Sequence, residues 1–354
     1  SQRSDLYKKY VDQLLKDGKA YKDAESPAIY FRVPKDGETT LLDAIKGPIT
    51  FQNEDIKDQV ILKSDGSVTY NFAVVVDDHD MGITHVIRGE DHISNTPKQM
   101  LMYQALGFKL PTFAHLPMIL GPDRSKLSKR HGATSVNEYK AQGFLPEAII
   151  NYLALLGWTP DDGTELMGTE ELFKKFDLDR VSKSNAIFDV AKLKWMNAER
   201  IKKMSVGELS TICFGFLNDI SKNKIKGKTW FESVVELIRD GINVFSDINP
   251  LTEVFFEDNT VLNDEHKKIL GTEESLKVLN LFKSKLISHN SLLPSPSDYD
   301  LWINEIIKET GLGKGKVLKP IRVATTGRDH GPALKNTLCL IGKEKIIARI
   351  SSLI

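Results

Sequence analysis

Residues 3–17 carry Leu6, Tyr10, Val11, Leu14 and Leu15 at helical spacing and end at Gly18. That pattern predicts an amphipathic helix with a glycine stop. Residues 28–33 and 47–51 are short runs that read as strands, and Asp65-Gly66 reads as a hairpin turn. Residues 1–70 therefore suggest an α+β segment. The run Tyr70-Asn71-Phe72-Ala73-Val74-Val75-Val76 is mostly apolar, rich in valine, and stops at Asp77-Asp78. It predicts a strand buried in a parallel sheet. Residues 83–87 predict a second strand running into Arg88. Pro97 suits the first turn of one helix and Pro146 that of another. The apolar stripe Ile149, Ile150, Leu153 and Leu156 of the second reads as core. Beyond about residue 205 strand-like runs become scarce. Residues 206–217, 230–238, 276–287, 299–310 and 331–350 predict a helical carboxyl-terminal half.

Composition narrows the class. At 354 residues the chain exceeds one ordinary domain. With 41% hydrophobic and 27% charged residues it has the balance of a soluble globular protein. No run of about 18 apolar residues predicts a membrane span. The formal net charge is zero, so a nucleic-acid partner would need local basic surface. Lys192, Lys194, Arg200, Lys202 and Lys203 are candidates, as are Lys314, Lys316, Lys319 and Arg322. Cys213 and Cys339, in apolar helical contexts, read as core thiols of a reducing, cytoplasmic compartment.

Candidate chemistry concentrates in two places. Arg124-Ser125-Lys126-Leu127-Ser128-Lys129-Arg130-His131-Gly132 packs cations into a glycine-bounded loop, which suits a polyphosphate. A solvated basic loop is the plainer alternative. Arg88, Glu90, Asp91 and His92 lie just past a predicted strand end, where open α/β sheets bind ligands. An arginine there can grip a carboxylate, although an ion pair with Glu90, Asp91 or Asp77 would explain it equally. Asp77, Asp78, His79 and Asp80 fit turn chemistry, and no metal site is predicted. The glycine-rich piece Gly311-Leu312-Gly313-Lys314-Gly315-Lys316 lacks the Gly-Lys-Ser/Thr ending and preceding strand of a phosphate loop.

Several blocks, in order, resemble glutamyl-tRNA synthetases of class I. They include residues 69–78, residues 82–92, Asn95-Thr96-Pro97, Lys126-Leu127-Ser128-Lys129-Arg130, residues 143–158 and residues 311–327. The resemblance implies a Rossmann-like α/β nucleotide-binding catalytic domain with an α+β insertion, then an all-α anticodon-binding domain. It implies boundaries at 1–70 for the acceptor-stem insertion and 71–125 for the second half of the catalytic fold. Residues 126–205 would hold the signature loop and stem-contact helices, and residues 206–354 the anticodon domain. By the same resemblance, Tyr70 and Arg88 bind glutamate. Asp91, His92, Met118, Ile119 and Lys129 lie near ATP, and Lys126 and Lys129 stabilise the triphosphate with Mg²⁺ assisting. Lys194, Lys319 and Arg322 are the expected contacts to tRNA(Glu). A monomer is expected.

The family's first signature, His-x-Gly-His, is absent, and the stretch around Lys22-Asp23 is shorter than the family usually carries. The expectation is that the natural chain carries both. A non-catalytic tRNA-binding paralogue is the alternative. So is a ligase that also charges tRNA(Gln).

Overall fold

The computed structural model describes residues 3–128, 130, 132 and 135–354. The chain divides into two compact units, Ser1–Thr134 with Ile150–Asp189, and Ser135–Ile149 with Val190–Ile354.

In the first unit, helix α1 (Ser4–Lys16) buries Tyr7, Val11 and Leu14, as its apolar stripe predicts. Strands β1 (Ala20–Lys22), β2 (Ile29–Phe31) and β5 (Gln59–Leu62) form an antiparallel sheet in the order β1-β2-β5. The Asp65-Gly66 turn follows β5, with Gly66 at φ 81° and Leu62 bridged to Val68. A second sheet has the order β4-β3-β7-β6, built from β3 (Glu38–Asp43), β4 (Gly47–Gln52), β6 (His85–Gly89) and β7 (Thr112–Leu116). β7 runs parallel to both β3 and β6, while β4 is antiparallel to β3. A short parallel pair, β8 (Ile119–Leu120) with β9 (Ala186–Ile187), completes the strands described.

One expected strand is a helix. Residues 70–76 belong to α2 (Tyr70–Asp80), which buries Phe72, Val75 and Val76. Those three positions stand at i, i+3 and i+4, a helical spacing that the run of valines obscures. Valine loses only a few tenths of a kcal/mol of helix propensity, far less than its burial returns. Asp77 and Asp78 therefore lie inside a helix rather than at a strand-to-turn junction. Asp77 is held by the Tyr7 hydroxyl at 2.9 Å and by Arg3 Nε at 2.8 Å. Helix α3 (Thr96–Leu106) carries proline in its first turn and ends at Gly107, φ 73°, as the sequence suggests. Phe31, Leu41, Ile61, Phe72 and Met102 share the core of these elements.

From Val190 onward the described residues of the second unit form helices joined by turns and loops, without a strand. Its core includes Val234, Phe282, Tyr299, Ile306, Val317 and Ile350. The expected helix over 331–350 is two, Leu334–Ile341 and Lys343–Ser351, broken at Gly342 (φ 95°). No helix is long and apolar enough to cross a membrane, among the described residues.

Candidate functional site

The parallel strands β6 and β7 end side by side, with Arg88 opposite His115 and Gly89 opposite Leu116. The chain then enters a 3-10 turn, Glu90–Asn95, which leads straight into α3. The sheet's carboxyl end, that turn, the start of α2 and the start of α3 together surround Arg88.

The Arg88 guanidinium is fixed along one edge. Its Nε donates to His115 Nε2 at 3.1 Å, and one terminal nitrogen donates to Thr96 Oγ1 at 2.8 Å and Gln99 Oε1 at 2.9 Å. All three acceptors are neutral, so the expected alternative of an ion pair with Glu90, Asp91 or Asp77 does not describe it. Burial lowers the Arg88 pKa from its ordinary value, opposed by the Tyr70 hydroxyl and the Asp78 carboxylate. An arginine remains cationic through such a shift. A half-buried cation whose direct partners are neutral is prepared to receive an anion. Tyr70 is the first residue of α2 and is 57% exposed, so it can still take a ligand. Its ring lies 6.2 Å from that of His92.

Behind Arg88 lies a group that sequence reasoning missed. The alternation of β3 turns Thr39, Leu41 and Asp43 to the buried face. Asp43 Oδ2 meets His115 Nδ1 at 2.6 Å, both side chains fully buried. Its Oδ1 accepts from the backbone N–H groups of Ile45, Lys46 and His115. Burial alone would raise the Asp43 carboxyl; donation from the Lys46 N–H and from His115 keeps it below the ordinary value. Burial lowers the His115 pKa, so the ring is neutral at pH 7, although Asp43 opposes the shift. Gln99 extends the network by donating to Asn71 Oδ1 at 3.0 Å. The Asp43–His115 pair could not be joined from sequence alone, since 72 residues separate its members.

Asp91 faces Lys126 at 3.8 Å, with side chains 50% and 67% exposed. Such a pair contributes little and releases Lys126 readily. The Met118 N–H donates to Glu90 Oε1 at 3.1 Å and to Asn185 Oδ1 at 3.2 Å. Glu90 is itself paired with Lys46. Ile119 begins β8, and its carbonyl accepts from the Leu127 N–H at 3.1 Å. The start of the basic loop is thus folded back as a tight turn, closed by Gly121 N–H to the Ser125 carbonyl at 2.8 Å. Arg124 occupies a left-handed conformation there (φ 60°), and Arg130 bonds to Ser125 Oγ at 2.6 Å. Lys129 lies outside the described residues. Among the described residues, no group of three or more His, Cys, Asp or Glu side chains could hold a metal ion.

In the helical unit, Lys194 and Lys319 are exposed. Arg322 is less available. It is part-buried, its pKa lowered by burial, and it donates to the Pro332 carbonyl at 2.9 Å. No contact links Lys194 to the other two among those described.

Comparison with known proteins fits this geometry. Residues 25–195 match the family of class I tRNA synthetase (E and Q) catalytic domains, and residues 198–354 match an anticodon-binding domain family. Glutamate–tRNA ligase 1 of Caldicellulosiruptor saccharolyticus is 39% identical, over 99% of this chain and 81% of that protein. Glutamate–tRNA ligase 2 of Caldanaerobacter subterraneus subsp. tengcongensis is 43% identical, over 93% of this chain and 68% of that protein. A crystal structure of a glutamate tRNA ligase from Elizabethkingia meningosepticum, in complex with its amino acid, superposes with a TM-score of 0.87. It is 28% identical and covers 100% of this chain and 82% of that one.

Proposed function

Because this chain belongs to the glutamate–tRNA ligase family of class I tRNA synthetases, we propose that it activates glutamate with ATP and transfers it to tRNA(Glu). In the first step the α-carboxylate of glutamate attacks the α-phosphorus of ATP. A carboxylate oxygen–phosphorus bond forms and the bond to pyrophosphate breaks. In the second step a hydroxyl of the terminal ribose of tRNA attacks the activated carbonyl. The aminoacyl ester forms and AMP leaves. Such chemistry rests on positioning and charge neutralisation.

One observation carries the substrate assignment: Arg88 is a half-buried cation whose direct partners are neutral, beside Tyr70 at a strand end. The cation, with its remaining terminal nitrogen and the Tyr70 hydroxyl beside it, favours the side-chain carboxylate of glutamate over the neutral amide of glutamine. Asp91, His92, Met118 and Ile119 border the place where ATP would lie. Lys126, and by the resemblance Lys129, would neutralise the triphosphate. Mg²⁺ would arrive with ATP, its ligands phosphate oxygens and water. Residues 1–70 would receive the acceptor end of tRNA, residues 71–125 would complete the nucleotide fold, residues 126–205 would carry the loop and stem contacts, and residues 206–354 would bind the anticodon. Exposed Lys194 and Lys319 are better placed as tRNA contacts than Arg322. A cytoplasmic monomer is the assignment we adopt, supported as to compartment by the unpaired thiols Cys213 and Cys339.

The test is Arg88→Ala in glutamate-dependent pyrophosphate exchange. Losing a charge-assisted pair of about 3 kcal/mol should lower kcat/KM for glutamate about 100-fold, mainly through KM. An unchanged KM removes Arg88 from the glutamate site.

A further inference from the structure

A fully buried aspartate–histidine pair needs a reason. Taking both groups out of water is costly, and apolar side chains of similar volume would pack β3 against β7 at least as well. Asp43 and His115 do not reach the open side of the site. What they reach is Arg88, through His115 Nε2 at 3.1 Å.

The hydrogen-bond partners favour one arrangement of protons. Asp43 Oδ1 already accepts from three backbone N–H groups, so the carboxylate acts as acceptor only. The proton between Asp43 and His115 therefore sits on Nδ1. A neutral ring then presents Nε2 as a bare acceptor, which Arg88 Nε–H requires, because arginine can only donate. The opposite tautomer would set two N–H groups against each other. Thr96 and Gln99 hold the next nitrogen of the guanidinium, and Gln99 is fixed in turn by Asn71 on α2.

We propose that Asp43 and His115 are positioning residues for Arg88, holding its charge and its remaining terminal nitrogen towards the side-chain carboxylate and thereby favouring glutamate over glutamine. The inference rests on the reading that Arg88 takes the side-chain carboxylate. A guanidinium free to swing could turn to meet an amide oxygen; one anchored through Nε and one terminal nitrogen keeps its charge in a fixed place, where a carboxylate gains more than a neutral amide.

Asp43→Asn tests this with little change of shape. The amide oxygen must face the three backbone donors, so the amide N–H₂ faces Nδ1. The ring proton is driven to Nε2, and Arg88 Nε–H loses its acceptor. The readouts, on the full-length protein, are KM for glutamate, KM for ATP and kcat in pyrophosphate exchange, with glutamine as competing substrate. The expected result is a rise in KM for glutamate of at least tenfold, a KM for ATP within twofold of wild type, and weaker exclusion of glutamine. His115→Phe should behave alike. His115→Gln, which restores an acceptor oxygen towards Arg88, should recover much of the loss. Equal rises in both KM values, or a glutamate KM within twofold of wild type in Asp43→Asn and His115→Phe, overturn the proposal. If His115→Phe does not fold, the Asp43→Asn and His115→Gln pair decides. Arg88→Lys separates the two layers. If it leaves KM for glutamate unchanged, the reading of Arg88 fails. If it raises KM while the Asp43 and His115 variants do not, only the positioning role fails.

Discussion

Arg349→Ala should destabilise the helical unit more than any exposed substitution. Arg349 is 1% exposed on the last helix, Lys343–Ser351. Its Nε donates to the Asp258 carbonyl at 3.1 Å and a terminal nitrogen to the Val254 carbonyl at 2.8 Å. The guanidinium also reaches the carbonyls of Thr325 and Glu257. Helix Ile248–Phe256 ends here, and its final carbonyls have no partner within their own helix. A cation at that end also meets the negative pole of the helix. Lys345 adds donations to the Phe256 and Glu257 carbonyls, each at 3.1 Å. Burial pulls the Arg349 pKa down to about 10, so the side chain stays charged at neutral pH. After truncation, Val254, Glu257 and Asp258 still border a cavity of about 460 Å³ that can admit water. The Thr325 carbonyl, within a fully buried residue, loses its arginine donor. One dry carbonyl at about 1–3 kcal/mol, with three partly rescued at about 0.5–1 kcal/mol each, gives about 4 kcal/mol. For a unit of roughly 150–250 residues this lowers Tm by about 8–16 °C. Thermal unfolding followed by circular dichroism measures it. Arg349→Lys, which keeps the charge, should lose about half as much. A drop under about 2 °C for Arg349→Ala would show that these carbonyls do not depend on the cation.

Two other outcomes follow from single positions. Gly143 ends helix Val136–Gln142 at φ 85°, and a Cβ there would stand 2.6 Å from Phe245 Cβ and 2.7 Å from its backbone nitrogen. Gly143→Ala should cost about 2–4 kcal/mol by strain and clash, read from urea unfolding, whereas a neutral result would mean that the Gly143–Phe245 approach is slack. Burial pushes the Cys213 thiol up to about 12 and raises Cys339 as well. At pH 8 the folded protein should therefore react slowly with a thiol reagent and release both thiols on denaturation; fast stoichiometric labelling of Cys213 in the native state would contradict its burial.

The helical half was legible because its signals are local. Residues at i, i+3 and i+4 mark the buried stripes, and caps such as Ser295 and Gly311 mark the ends of helix Pro296–Thr310. The same logic failed at residues 70–76. There a run of valines and aromatics satisfies strand preference and helix periodicity together, and only packing against α3 and the sheet decides. Arg88 could be singled out because an arginine at a strand end is chemically unusual. Its supports could not, since Asp43, His115 and Gln99 meet only through the parallel pairing of β3, β6 and β7. Arg322 shows what composition leaves out: a basic residue in a promising stretch is turned inward to a carbonyl.

The most direct measurement is incorporation of radiolabelled glutamate into purified tRNA by the full-length protein with ATP and Mg²⁺. tRNA(Glu) and tRNA(Gln) are assayed separately. ATP-dependent label on tRNA(Glu) is expected, with kcat/KM for glutamate reduced about 100-fold by Arg88→Ala. Label on tRNA(Gln) as well would identify a non-discriminating ligase. No label on either, from a folded protein that still binds tRNA, would contradict the ligase assignment and favour a tRNA-binding paralogue.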